Sequence, residues 1–312
     1  AAPSFNQHGG NIARGSTVSM TAPAGTIYFT RDGTDPRLAG GAVASSARAY
    51  TGALALNESA IVKARALSSG TWSALNEATF HVIQAFTGLA ISEVMYNPPG
   101  QDGVDGDEFE FIELKNASNA ELDLSGVHFT NGVVFSFPLG AKLGPGQIAV
   151  LAGHSAEFQK KYPGVAVTGQ YTGRLSNGGE TVSLVHAVGT PIVAVAYADQ
   201  PPWPTTPDGE GFSLVLANPN LKGVGSDPAN WRPSTRMGGS PGADDPSVTV
   251  PAVFIHEVLT HTDPPVKDAI ELYNPNPAAA NIGHWFLTDS RSTPEKFAIP
   301  AGTMIPARGY LV

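Results

Sequence analysis

The chain has 312 residues, 42% of them apolar, which is enough for two or three domains that each bury a core. Only 14% are charged, the net charge is −9 and no run of Lys or Arg occurs, which argues against duplex nucleic acid and anionic membranes as partners. Cysteine is absent, so disulfides, thiolate zinc sites and cysteine nucleophiles are excluded.

From Ala1-Ala2-Pro3-Ser4-Phe5 onward there is no initiator Met and no signal peptide, so the sequence reads as a processed product or a fragment. No stretch approaches the roughly 18 uninterrupted apolar residues of a membrane-spanning helix. The 35 Gly and 26 Pro fall between short apolar runs, the pattern of many strands joined by turns. Strands are predicted at Thr26–Thr30, Ile61–Arg65, Thr181–Val185 and Ile192–Tyr197, each β-rich and bounded by turn residues. Asp32-Gly33-Thr34-Asp35-Pro36 reads as a turn held by Asx-type caps, and Asn177-Gly178-Gly179 as a tight turn. Helix signals are scarce, and the best is Ser155 as N-cap before 156–162, stopped by Pro163, with Phe158 and Tyr162 sharing one face. The fold class is therefore all-β.

Three sections emerge, at residues 1–86, 87–245 and 246–312, the second ending in the breaker-rich stretch Gly238 to Pro246. The third repeats the start of the second. Ile91-x-Glu93-Val94-Met95 matches Ile255-x-Glu257-Val258-Leu259, and Glu113-Leu114-Lys115-Asn116 matches Glu271-Leu272-Tyr273-Asn274. Further on, Val127, Phe129 and Thr130 match Trp285, Leu287 and Thr288. Val312 falls opposite Val150, so the third section is expected to be the N-terminal part of a second copy, cut from a longer parent.

The second section resembles a bacterial lamin tail domain. The carriers are Ile91-Ser92-Glu93-Val94-Met95-Tyr96-Asn97-Pro98, Glu110-Phe111-Ile112-Glu113-Leu114-Lys115-Asn116, Leu122-Asp123-Leu124-Ser125-Gly126, Pro202-Trp203-Pro204, Asn230-Trp231 and Gly239-Ser240-Pro241-Gly242. The resemblance implies an immunoglobulin-like β-sandwich. Section one resembles the small fibronectin-III-like domain at the C-terminus of chitobiases and hexosaminidases, through Ile27-Tyr28-Phe29-Thr30-x-Asp32-Gly33-Thr34-Asp35-Pro36, Tyr50-Thr51-Gly52 and Val62-Lys63-Ala64-Arg65-Ala66. Phe29 stands where that family usually has a second Tyr. The tandem is similar to regions of large exported bacterial proteins, some of which carry a kinase domain like that of spore coat protein H. No kinase motif occurs in these residues.

Chemistry-bearing residues are few. His256-Glu257-Val258-Leu259-Thr260-His261 is one residue too long for His-Glu-x-x-His, and on a strand its two rings point to opposite faces, so zinc is not expected. Asp102, Asp105, Asp107 and Glu108, with Glu110 beyond them, form the densest carboxylate cluster in a Gly-containing loop. They are the candidate calcium ligands, with a solvated acidic loop as the plainer reading. Glu93 and Glu113, with Glu257 and Glu271 in the repeat, offer paired carboxylates, but no second catalytic group accompanies them. Trp203, between two prolines, is the candidate sugar-stacking platform, against packing over the sandwich. No nucleophile elbow and no phosphate loop occur. The expectation is a non-catalytic, extracellular module acting in adhesion, recognition or spacing within a bacterial surface or secreted protein. Its partners are then the parent's other domains and surface polysaccharide or protein, with no firm cofactor beyond candidate calcium. The alternative is the accessory, carbohydrate-binding region of an extracellular enzyme such as a glycoside hydrolase or a spore-coat-protein-H-like kinase.

Overall fold

The computed structural model describes residues 1–220, 225–247, 251–265, 267–290, 293 and 296–312. The fold is all-β, and the chain divides into two compact units, Ala1–Ser247 and Val248–Val312.

The first unit opens with a sheet in the order Gly10–Ile12, Asn76–Val82, Ala60–Ser68, Thr26–Thr30, Arg48–Ala49. Its central strand alternates strictly. Ala60, Val62, Ala64 and Ala66 are buried while Ile61, Lys63 and Arg65 are half-buried, the period of two that sets one face on a core. Shorter pairs, Ser16–Val18 with Leu54–Leu56 and Ser4–Phe5 with Met20–Thr21, cover that face around Phe29, Leu56, Val62 and Phe80. The expected Asx turn is present, with Asp32 Oδ1 accepting from Thr34 N at 3.0 Å. Arg65 grips Asp35 with two bonds of 2.8 and 2.7 Å and so anchors the end of that loop to the sheet.

The rest of the first unit is a sandwich. One sheet runs Val167–Gln170, Ile148–Ala152, Phe111–Asn116, Leu89–Met95, Leu214–Leu216, Trp231–Pro233, and the facing sheet is His128–Asn131, Gly179–Val185, Pro191–Ala198. Every residue of Leu89–Met95 is buried. A bulge between Ile91 and Glu93 explains how: it inserts one residue, so Ile91 and Val94, an odd number apart, both reach the main core. Met95 turns instead to a second core with Phe111, Val150 and Phe158. The helix Ser155–Lys161 closes this second core. Its cap is His154, whose Nδ1 accepts from Glu157 N, not Ser155 as the sequence suggested; Ser155 N donates to Gln170 Oε1 instead. Phe158 is buried and its ring lies 4.7 Å from that of Tyr162, the shared face expected from their spacing.

In the second unit, Phe254–Leu259 pairs with Ala269–Tyr273, which pairs with Tyr310–Leu311. A bulge falls between Ile255 and Glu257, at the position corresponding to Ile91 and Glu93. Asn274 Nδ2 donates to Ala278 O and Ile305 O, as Asn116 Nδ2 does to Ala120 O and Leu143 O. Its core is small: Leu272, Ile282, Ile299 and Ile305.

Candidate functional site

Many of the buried polar groups of the first unit gather in two places, a carboxylate clasp and a junction between its two sandwiches. In the clasp, Glu93 and Glu113 sit side by side in register on adjacent strands, 1% and 2% exposed. Burial with few donors would be costly, and two serine hydroxyls and the segment after Trp231–Pro233 supply them. Glu93 Oε1 accepts from Ser213 Oγ and from Ser240 N at 2.9 Å. Glu113 accepts from Ser92 Oγ at 2.9 Å and from Gly242 N at 2.8 Å. Gly239, at φ +75°, has no room for a side chain, because a Cβ there would lie 2.1 Å from Glu93 Oε1. Lys115 reaches Asp244 at 2.6 Å, and Asp245 takes Arg232 Nη1 and Ser240 Oγ, each at 2.6 Å. The stretch Gly239-Ser240-Pro241-Gly242 is thus a strap that closes over two strand carboxylates.

Burial, and then the charge of Glu113, pushes the Glu93 carboxyl well above its usual range; burial does the same to Glu113. A raised carboxyl is the kind a general acid needs. Here, however, both side chains are buried, and Glu93 Oε1 and both Glu113 oxygens accept from hydroxyl and backbone donors, an arrangement that fits structural work. Asp245 goes the other way: although burial opposes it, Ser240 and Arg232 hold its carboxyl below its ordinary value.

The four candidate calcium ligands do not converge in the structure. Asp102 accepts from Gln101 Nε2. Asp105 caps the short turn Gly106–Phe109, and Asp107 and Glu108 both pair with Arg174. Among the described residues no group of three or more His, Asp or Glu is placed to hold a metal. The residue of that stretch with a distinctive environment is Glu110, buried and pushed up to about 8 by desolvation while Leu175 N and Tyr171 Oη donate to it. Trp203 also departs from its candidate role. It is 8% exposed and belongs to the main core, 6.2 Å from Trp231, so neither ring face is open to a sugar. In the second unit His256 Nδ1 lies 2.7 Å from Glu271 Oε1, on a strand as expected.

The junction was not legible beforehand. Asp123, buried, accepts from Ser59 N of the first sandwich at 2.9 Å and from its own Ser125 N at 2.9 Å. Gln84 bonds both backbone groups of Asp123, at 2.6 and 3.2 Å, and Ser59 Oγ accepts from Val82 N. Burial works against ionised Asp123, yet the hydrogen bonds from Ser125 and Ser59 hold its carboxyl below its usual value. At the rim, Lys142 of the second sandwich bridges to Glu58 of the first at 3.2 Å.

Residues 83–199 match the family described as Lamin Tail Domain, and residues 17–80 match the family described as Fn3 associated. Among solved structures, a DUF4876 family protein from Bacteroides thetaiotaomicron is similar at 11% identity and a TM-score of 0.33, over 66% of this chain and 84% of that one. Among curated proteins none matches.

Proposed function

We propose, for a chain carrying a lamin tail domain over 83–199 preceded by an Fn3-associated domain over 17–80, that it is a non-catalytic spacer and interaction module of a bacterial surface or secreted protein. The observation that carries this is the junction. Two sandwiches joined by a loose linker are free to move independently. These two share a buried aspartate whose bonds reach across from Asp123 to Ser59 and Gln84, which makes them one arm. The carboxylates best suited by burial to acid–base work are engaged in the strap, which supports the same reading. In this proposal 246–312 is a second lamin-tail-like copy, supported by the matching bulge and asparagine clamp, and the partners are the parent's other domains and extracellular polymers or proteins.

The test is whether the two sandwiches tumble together. Backbone NMR relaxation at neutral pH is expected to give one correlation time for residues 17–80 and 83–199. Asp123→Ala, which strands the Ser59 amide, is expected to separate them. Two independent correlation times in the unaltered chain would remove the arm.

A further inference from the structure

His81 lies on the last strand of the first sandwich, Asn76–Val82, and His186 in the turn that joins Gly179–Val185 to Pro191–Ala198 in the second. Their rings meet across the junction, edge to face, with centroids 5.9 Å apart. His186 is 7% exposed and also packs on Phe86, at 5.7 Å. His81 Nδ1 is buried and has no hydrogen-bond partner. The surroundings leave little slack: a Cβ at Gly126 would stand 2.8 Å from Ala187 Cβ and 3.3 Å from His81 Cε1. Two imidazoles therefore sit in contact across the junction, His186 buried and His81 half-buried.

The charged and titratable groups that bear on this pair are Asp123, which favours a proton on either ring, and His128, whose Nδ1 is 3.0 Å from Gly126 O. The Glu58–Lys142 pair stands at the rim. A first proton places a charge in a poorly solvated contact, and at His81 Nδ1 it adds an N–H with nothing to receive it. A second proton sets two cations face to edge at the same separation.

We propose that the junction is an acid-labile hinge: the two sandwiches are locked while His81 and His186 are neutral, and they come apart as the pair takes up protons. This rests on the rigid-arm reading above. Burial holds both rings below the ordinary histidine value of 6.5; at His186 the neighbouring His81 adds to this, and Asp123 opposes it at both. The separated state then binds protons first, so locking is complete above about pH 6.5 and weakens as pH falls below it. Asp123, held below its ordinary value of 3.8, stays ionised through that range, so the loss in mild acid belongs to the histidines.

The absence of cysteine makes a direct test simple. Exposed Ser45 and Gln159, one on each sandwich, are changed by Ser45→Cys and Gln159→Cys in the full chain and spin-labelled, and the distance distribution is read near pH 7.5 and near pH 5. The expected result is one narrow distance at the higher pH and a distribution at least about twofold broader at the lower, as a second state becomes populated. Adding His81→Phe and His186→Phe, which keep ring shape and remove the titration, is expected to keep it narrow at both. If circular dichroism shows that pair unfolded, His81→Gln and His186→Gln serve with the same readout. A narrow distribution at both pH values in the parent overturns the hinge and leaves the arm intact. Broadening that survives the histidine changes also overturns it. A broad distribution already near pH 7.5 removes the arm, and the hinge with it.

Discussion

Strands Leu89–Met95 and Phe254–Leu259 carry nearly the same pattern of residues and the same bulge, yet one is buried throughout and the other exposed throughout. Ile91 is 1% exposed, its counterpart Ile255 60%. The difference lies in what is laid over them. Leu89–Met95 is flanked by Phe111–Asn116 on one side and Leu214–Leu216 on the other, and the strap covers its carboxylate. Among the described residues Phe254–Leu259 pairs with Ala269–Tyr273 alone. A strand's apolar pattern thus states what it is able to bury, and its neighbours decide whether it does.

Three experiments sharpen or break this comparison. The largest effect is expected at tryptophan. Trp203→Ala should cost about 3–5 kcal/mol in chemical denaturation of the first unit, since it empties a site in the main core. Trp285→Ala, at a partly buried residue on the small core, should cost roughly 1–2 kcal/mol. Equal losses would mean that the second core is as closed as the first. Next come the paired valines: Val94→Ala, fully buried, should cost about 2 kcal/mol, whereas Val258→Ala, half exposed, should stay within about 0.5 kcal/mol. Hydrogen exchange resolves the two strands separately, and the comparison fails if Val258→Ala proves the costlier.

The smallest effect is a pH dependence of the clasp. Glu93 is raised above its ordinary value of 4.5, so the unfolded chain releases that proton first and stability declines as pH rises. From about pH 6.5 to 9, above the histidine range, the first unit should lose about 1 kcal/mol, and Glu93→Gln should make the slope shallower. Stability that stays flat over this range in the parent chain, with Glu93→Gln leaving the profile unchanged, would show the carboxylate to be held ionised by Ser213 and Ser240 instead.

The all-β class was legible because the strand signals are local. Thr26–Thr30 forms as read, the runs at 181–185 and 192–197 lie inside strands two residues longer, and 61–65 lies inside one four residues longer. The repeat was legible for the same reason, since it compares sequence with sequence. What escaped was everything fixed by distant partners. Asp107 and Glu108 look like ligands until Arg174, far along the chain, pairs with both. Trp203 looks like a surface platform until Trp231 arrives beside it. Asp123 and Gly239 were both visible within motifs, but their tasks depend on Ser59 and Glu93, which no spacing rule connects to them.

In the first sandwich Gly10–Ile12 and the last strand, Asn76–Val82, are neighbours that run parallel, with Gly10 beside Phe80 and Ile12 beside Val82. A pull on residues before Gly10 and an opposing pull on residues after Val82 therefore slides the two strands lengthwise past each other. Under that load the hydrogen bonds of the ladder share the force together instead of parting one after another, as they would if the strands were peeled apart sideways. In the spacer role proposed above, the lifetime of this sandwich under such a load is set by how fast that short ladder shears.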